Sequence, residues 1–248
     1  MAPRSTERRD RMESTLGLLS FGPAGWGDEI AAGVLVTVTL ALATVPFGLA
    51  AGFLVALGKQ SEEPTLRLAA NIYTTIFRGL PELLTLFIIY YGAQIALQQF
   101  VRMVSPGSSI EINSFVAGMV ALGVVFSSYA SEVFLSAFRA IPQGQYEGGY
   151  AIGLSYWKTM RLVILPQLVR IALPGLSNLW LILLKDTALV SVIGLSDIVR
   201  QTGVAARVTK EAFLFYGVAC LLYLVLAIIS SFAFAAIERR TGRAVQAR

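Results

Sequence analysis

The sequence predicts an all-α membrane protein with about five transmembrane helices, and three observations carry that prediction. Hydrophobic residues make up 56% of the 248 and charged residues only 14%, with a mean hydropathy of +0.68, far from the charge balance of a soluble domain. The apolar residues gather in uncharged stretches at 30–58, 83–101, 112–131 and 212–237, each long enough to cross the ~30 Å hydrocarbon layer as a helix. These stretches are continuously apolar instead of alternating, and too long for the strands of a transmembrane barrel.

Residues 1–27 read as an N-terminal tail. Arg4, Arg8, Arg9 and Arg11 alternate with Glu7, Asp10 and Glu13, and a short apolar run at 16–21 follows. That run is shorter than the apolar region of a signal peptide, and no small-residue cleavage pattern follows it. The membrane domain then occupies 28–240. Its first span, 30–58, carries Gly48 and Gly52, a small-xxx-small pair suited to close helix contact. The second, 66–98, is too long for one straight crossing. Gly79-Leu80-Pro81 interrupts it, so a broken helix is expected. A loop over 99–113 holds Ser105-Pro106-Gly107-Ser108-Ser109, a turn composition.

The third span is 114–138. From 139 to 170 the chain is amphipathic, with Arg139, Glu147, Lys158, Arg161 and Arg170 among apolar residues, and has the length of a small folded loop. The fourth span, 171–193, carries Lys185 and Asp186 near its middle, where an unpaired charge costs about 2.5–3.5 kcal/mol. A polar loop over 194–211 leads to the fifth span, which ends at Glu238-Arg239-Arg240 before a C-terminal tail, 241–248.

Basic residues set the orientation. Lys59, Arg67, Arg78, Arg139, Lys158, Arg161, Arg170, Arg239, Arg240, Arg243 and Arg248 fall on one side of a five-span topology; Arg102, Arg200, Arg207 and Lys210 fall on the other. The C-terminus and the 139–170 loop are therefore expected in the cytoplasm, with the arginines of the N-terminal tail opposing. The formal net charge of +5 serves topology, and no nucleic-acid partner is implied.

Several chemistries are excluded. The chain has no histidine and one cysteine, Cys220, so it has neither a disulfide framework nor a His/Cys metal site, and no Ser/His or Cys/His pair for an enzyme. Gly58-Lys59 is followed by Gln60 and lacks the spaced glycine of a P-loop. A channel or ion-coupled secondary carrier remains the rival reading, because Glu82, Glu132, Lys185 and Asp186 could line an ion path.

Glu147-Gly148-Gly149, then Gly153, then Ile164-Leu165-Pro166, resembles the EAA loop of ATP-binding-cassette (ABC) importer permeases, with Glu-Gly-Gly in place of Glu-Ala-Ala. Phe77-Arg78-Gly79-Leu80-Pro81-Glu82, Tyr129-Ala130-Ser131-Glu132 and Leu184-Lys185-Asp186-Thr187-Ala188-Leu189 resemble the polar amino acid subfamily. The acidic residue after the proline, Glu82, is similar to permeases of the histidine/lysine/arginine/ornithine and octopine/nopaline type.

The resemblance implies a type I ABC importer permease fold with a cytoplasmic coupling helix, in a bacterial inner membrane. It implies three kinds of partner: an ATPase dimer, a second permease subunit that is a paralogue or a second copy, and an extracytoplasmic substrate-binding protein. ATP would bind the ATPase, and this chain itself would carry no cofactor and catalyse no reaction. Glu147, Gly148, Gly149, Gly153 and Pro166 are then the expected ATPase-coupling residues. The two glycines would soften the coupling helix by about 1 kcal/mol each relative to alanine.

Glu82, Glu132, Lys185 and Asp186 are the candidate residues of a substrate path for a polar, basic amino acid or an opine. Glu82 has two readings: a partner for a cationic group of the substrate, or a structural pair with Arg78 one turn earlier. Lys185 and Asp186, adjacent on a helix, point to different neighbours, Glu132 or the partner subunit among them.

Overall fold

The structure, a computed structural model, describes residues 17–23, 25–105 and 111–246, with side chains as far as 241. The arginine-rich part of the tail and most of the 105–109 turn lie outside the described residues. Among the described residues, five helices are long and apolar enough to span a membrane. In chain order the elements are α1 (Gly27–Gln60), α2 (Pro64–Gly79), α3 (Glu82–Val104), α4 (Ser114–Ala140), α5 (Gln143–Ala151), α6 (Tyr156–Thr159), a π-helical turn (Met160–Ile164), α7 (Leu165–Asp186), a 3₁₀ turn (Thr187–Ile193), α8 (Ile198–Thr209) and α9 (Ala212–Gln246).

Helix α4 is the hub. Its apolar window is 61% buried, against 11% for α3 and for α9, so neighbours surround α4 while α3 and α9 face outward. Asn113 starts it by accepting hydrogen bonds from the Phe115 and Val116 amides, satisfying two of the free donors at a helix N-terminus. Leu122, Phe126, Phe134 and Phe138 of α4 join Leu40, Leu168 and Leu183 in the main core. The close packing of α1 on α4 depends on Gly48 and Gly52. A β-carbon at Gly52 would stand 2.8 Å from the Ser127 carbonyl oxygen, and one at Gly48 would meet the ring of Phe126.

The helix break falls where Pro81 requires it. Helix α2 ends at Gly79, and α3 begins at Glu82 with Pro81 as its cap. The expected second span is corrected in one respect: α3 alone has spanning length and hydropathy, and α2 is a separate helix. Tyr73 anchors α2 on α4, its hydroxyl donating to the Val124 carbonyl (3.1 Å) and lying 2.6 Å from Ser127 Oγ.

Three further expectations are corrected. The fourth span begins at Tyr156, because α6, the π turn, α7 and the 3₁₀ turn form one 38-residue rod; the loop before it is correspondingly short. Pro166 lies in the first turn of α7, where the α-helix resumes within that rod. Having no N–H, it cannot close the usual turn, and the backbone widens so that the Leu165 amide reaches the Met160 carbonyl. The expected polar loop over 194–211 is largely helix α8, which buries Ile198, Thr202, Ala205 and Ala206. Helix α9 also continues past Arg240 to Gln246, so most of the expected C-terminal tail is helical.

The bundle has two ends. At one, Leu18, Leu19 and Trp26 of the N-terminal segment pack on Ile30, Ala205 and Phe215. At the other lie the α1–α2 turn and the segment around α5.

Asp197 caps α8 at the first end. Its Oδ1 accepts from the Arg200 amide at 2.9 Å, while Oδ2 is buried without a partner. Burial, only partly offset by the backbone hydrogen bond from Arg200, pushes its pKa up to about 6 from the ordinary 3.8. A raised folded-state pKa means that the native state binds the proton more tightly. The destabilising effect is absent below pH ~4, grows as pH rises, and is complete above pH ~6. Asp197→Asn keeps the cap acceptor and removes the charge. Thermal unfolding across pH 4–7.5 is expected to show the variant gaining stability over the wild type as pH rises through 4–6, by roughly 2–3 kcal/mol at neutrality.

Candidate functional site

The coupling segment is built by a proline, a glycine and a threonine. Ile141, buried, ends α4, and Pro142 starts α5. Helix α5 stops because Gly153 takes φ +79°, a left-handed conformation that glycine adopts without a β-carbon penalty. The Gly153 amide returns to the Tyr150 carbonyl (2.9 Å) and the Leu154 amide to that of Gly149 (3.0 Å). The chain then turns back through Ser155 into α6. Gln167 Nε2 donates to Gln145 Oε1 at 3.0 Å, tying α5 to the long rod.

The two glycines after Glu147 differ. Gly148 is exposed, and a β-carbon there would meet nothing within 4 Å. Gly149 is buried against Thr159; a β-carbon there would lie 2.5 Å from Thr159 Cγ2 and 2.7 Å from Oγ1. Thr159 is itself 1% exposed, so it has little room to move. Only Gly148 leaves the helix softer without a packing reason.

Glu147 is exposed, as are Tyr150, Ile152 and Trp157; Ile152 and Trp157 are 75% and 78% accessible. A carboxylate among exposed large apolar groups on a protruding segment is suited to docking on another protein. Burial, and then the neighbouring phenols of Tyr156 and Tyr150, hold the Tyr146 hydroxyl above its ordinary pKa, keeping it neutral.

The other candidate residues separate into two groups. Glu82, the first residue of α3, and Asp186, the last of α7, come together in the bundle. Both border a cavity of about 20 Å³, water-sized, closed by Leu122, Phe126, Tyr129 and Leu183. Two carboxylates converging where a broken helix meets a long rod concentrate negative charge, an arrangement chemically suited to a cationic group.

Glu132 stands apart from them. It accepts from Lys59 and from Arg78 (3.0 Å), and the Arg78 guanidinium lies 5.6 Å from the Tyr129 ring centre, a cation–π distance. The expected alternatives are thereby corrected: the helix break turns Arg78 toward Glu132, so it does not pair with Glu82, and Glu132 is already paired, so it meets neither Lys185 nor Asp186. Lys185 projects to the exterior of the chain without an ion-pair partner among the described residues.

Sequence reasoning did not identify Lys59 and Arg78 as the partners of Glu132, nor Thr159 as the neighbour of Gly149. Lys59 and Glu132 are 73 positions apart, so no local spacing reveals their pairing. The buried acid cap Asp197 was signalled only by Asp197-Ile198-Val199-Arg200, an N-cap pattern within a segment read as loop.

Comparison with known proteins now fixes the family. The model of the family described as "binding-protein-dependent transport system inner membrane component" matches residues 45–243. The nopaline transport system permease protein NocQ of Agrobacterium fabrum is 40% identical over 234 residues, 94% of this chain and 99% of that one. The histidine/lysine/arginine/ornithine transport system permease protein HisQ of Escherichia coli is 38% identical over 216 residues, 87% and 94% of the two chains. Among solved structures, an amino acid ABC transporter crystallised with histidines superposes with a TM-score of 0.74 at 32% identity, covering 87% of this chain and 95% of that one. By the extent of these matches, the chain belongs to the family of binding-protein-dependent transport system inner membrane components.

Proposed function

We propose that the chain is the membrane permease subunit of an ABC importer for polar, cationic amino acids or opines, with the coupling segment at the cytoplasmic end and the C-terminus on the same side. The observation that carries the substrate class is the acidic pair Glu82 and Asp186, set at the helix break among apolar walls. Relatives named for nopaline and for histidine, lysine, arginine and ornithine transport support the same class. Lys59, Arg67, Arg139, Lys158 and Arg161 near the coupling end support the orientation.

In this reading a binding protein delivers substrate at the end formed by the N-terminal segment, α8 and the start of α9. A partner ATPase engages Glu147 and the neighbouring apolar residues, with Gly149, Gly153 and Pro166 shaping the segment that presents them. A second permease subunit, paralogue or copy, completes the path and offers Lys185 a partner. Closure of the ATPase would move the coupling segment and, through the 38-residue rod that carries Asp186, reach the acidic pair.

Uptake by the complex reconstituted with ATPase and binding protein tests the assignment. Glu82→Gln and Asp186→Asn are each expected to lower uptake of arginine by about tenfold or more, the loss of one charge-assisted contact, while uptake of glutamine falls much less. Equal effects on both amino acids would remove the substrate assignment. Uptake by this chain without any ATPase would favour a secondary carrier.

A further inference from the structure

The end of the bundle capped by Asp197 gathers oxygen atoms that the transport reading leaves unused. Asp197, Thr37 and Thr187 are each fully buried. Asp197 caps α8, Thr37 belongs to α1, and Thr187 opens the 3₁₀ turn. Tyr223 of α9 brings a further oxygen: its hydroxyl is buried, and the polar side chains acting on it are those of Thr187, Asp197 and Thr37. Each of these oxygens comes from a different element.

Backbone contacts hold the group together. Thr37 Oγ1 accepts from the Ile198 amide at 3.3 Å. Gly33, one turn before Thr37, lets α1 press on the cap, since a β-carbon there would stand 2.9 Å from the Asp197 carbonyl oxygen. Thr187 Oγ1 donates to the Leu184 carbonyl at 2.7 Å, which keeps its lone pairs available. Asp197 Oδ2 and Tyr223 Oη have no hydrogen-bond partner, and neither ion pair among the described residues includes Asp197. Arg200, one turn along α8, sends its guanidinium to the Ser191 carbonyl (3.4 Å) instead.

We propose that Asp197 Oδ2, Tyr223 Oη, Thr37 Oγ1 and Thr187 Oγ1 form a binding site for a sodium ion, which clamps α1, α8, α9 and the 3₁₀ turn together. The inference is independent of the importer reading. Oxygen donors alone select a hard cation. A lone carboxylate balances a single positive charge, whereas calcium sites draw on several acidic ligands. Close packing around three fully buried residues favours sodium over the larger potassium ion. A charge held out of water is tolerated where it is paired or binds a metal, and sodium would give Asp197 that partner.

The test is thermal unfolding of the full chain purified in detergent at about pH 7.5, where the burial penalty on the Asp197 carboxylate is complete. Sodium chloride replaces choline chloride at constant ionic strength. The wild-type midpoint is expected to rise by about 3–8 °C along a saturating curve, and to rise much less in potassium chloride. Asp197→Asn is expected to show no sodium-dependent rise, so its advantage over the wild type narrows as sodium is added. Tyr223→Phe keeps the ring and removes one ligand, and should raise the half-saturating sodium concentration by about fivefold. Binding of radioactive sodium to the same preparations should give the same order of affinities.

A wild-type midpoint equal in sodium and choline would overturn the site, leaving its oxygens to an ordered water. An equal rise in potassium would overturn the choice of ion. A sodium-dependent rise that persists in Asp197→Asn and disappears in Asp186→Asn would move the ion to the acidic pair and overturn this assignment. If Asp197→Asn does not fold, Tyr223→Phe decides: an unchanged half-saturating concentration overturns the site.

Discussion

Glu132→Leu is expected to destabilise the protein by about 3–5 kcal/mol, the cost of leaving a buried cation without its counter-charge. Lys59 makes the cost high: its side chain is only 5% exposed, and Glu132 is its ion-pair partner. Arg78, 43% exposed, has access to water and is expected to contribute far less. The same carboxylate joins the end of α1 and the end of α2 to α4, so its loss loosens three helices together.

The partition is measurable by thermal unfolding of the purified protein in detergent. Glu132→Leu should lower the midpoint sharply. Lys59→Met combined with Glu132→Leu should recover most of the loss, because an apolar pair replaces an orphaned charge. Arg78→Met alone should move the midpoint little. A double variant no more stable than Glu132→Leu would show that Lys59 is not the source of the penalty.

What the sequence made legible follows from range. The break at Leu80-Pro81 is a backbone necessity of a single residue and falls where the sequence places it, and the turn at Gly153 is equally local in origin. The apolar spans are legible for the same local reason, since a bilayer demands uninterrupted stretches of hydrocarbon length. Helix α8 was hidden because it is short and amphipathic, with polar residues that resemble a loop until the bundle covers Ile198 and Ala205. The start of the fourth span at Tyr156 was hidden by Lys158 and Arg161, which read as loop charges although both lie on the exposed side of a helical rod.

The candidate site divides in the same way. Glu82 and Asp186 were individually conspicuous as charges in apolar surroundings, yet their convergence depends on how α3 and α7 pack on α4. Glu132 was equally conspicuous, and packing gives it two cations instead. Charge in a span therefore marks a residue as constrained by a partner, while only the tertiary arrangement names that partner.

At the coupling segment, Gly149→Val is expected to abolish coupled transport, and Gly148→Ala to preserve it. The positions are adjacent, and either substitution alone would look conservative. At Gly148 a methyl group meets open space and strengthens helix α5 by about 1 kcal/mol. At Gly149 the first added carbon already falls 2.5 Å from Thr159 Cγ2. Valine adds two more carbons, and α5 must move away from the rod against which it packs. The departure from Glu-Ala-Ala at this position is thus compensated locally: Thr159 occupies the space that an alanine methyl would need. Gly149→Ala combined with Thr159→Ala should consequently transport better than Gly149→Ala alone.

Co-purification with the ATPase and ATP-driven uptake provide the readouts, with membrane insertion checked by expression level. Glu147→Lys reverses the charge presented by the same segment, and is expected to insert normally while weakening ATPase association by at least about tenfold. If Gly149→Val and Glu147→Lys both keep ATPase association and uptake, α5 is not the docking element. If Gly149→Val fails to insert, the double substitution still decides the matter, because rescue through Thr159 can arise only if the two residues compete for one space.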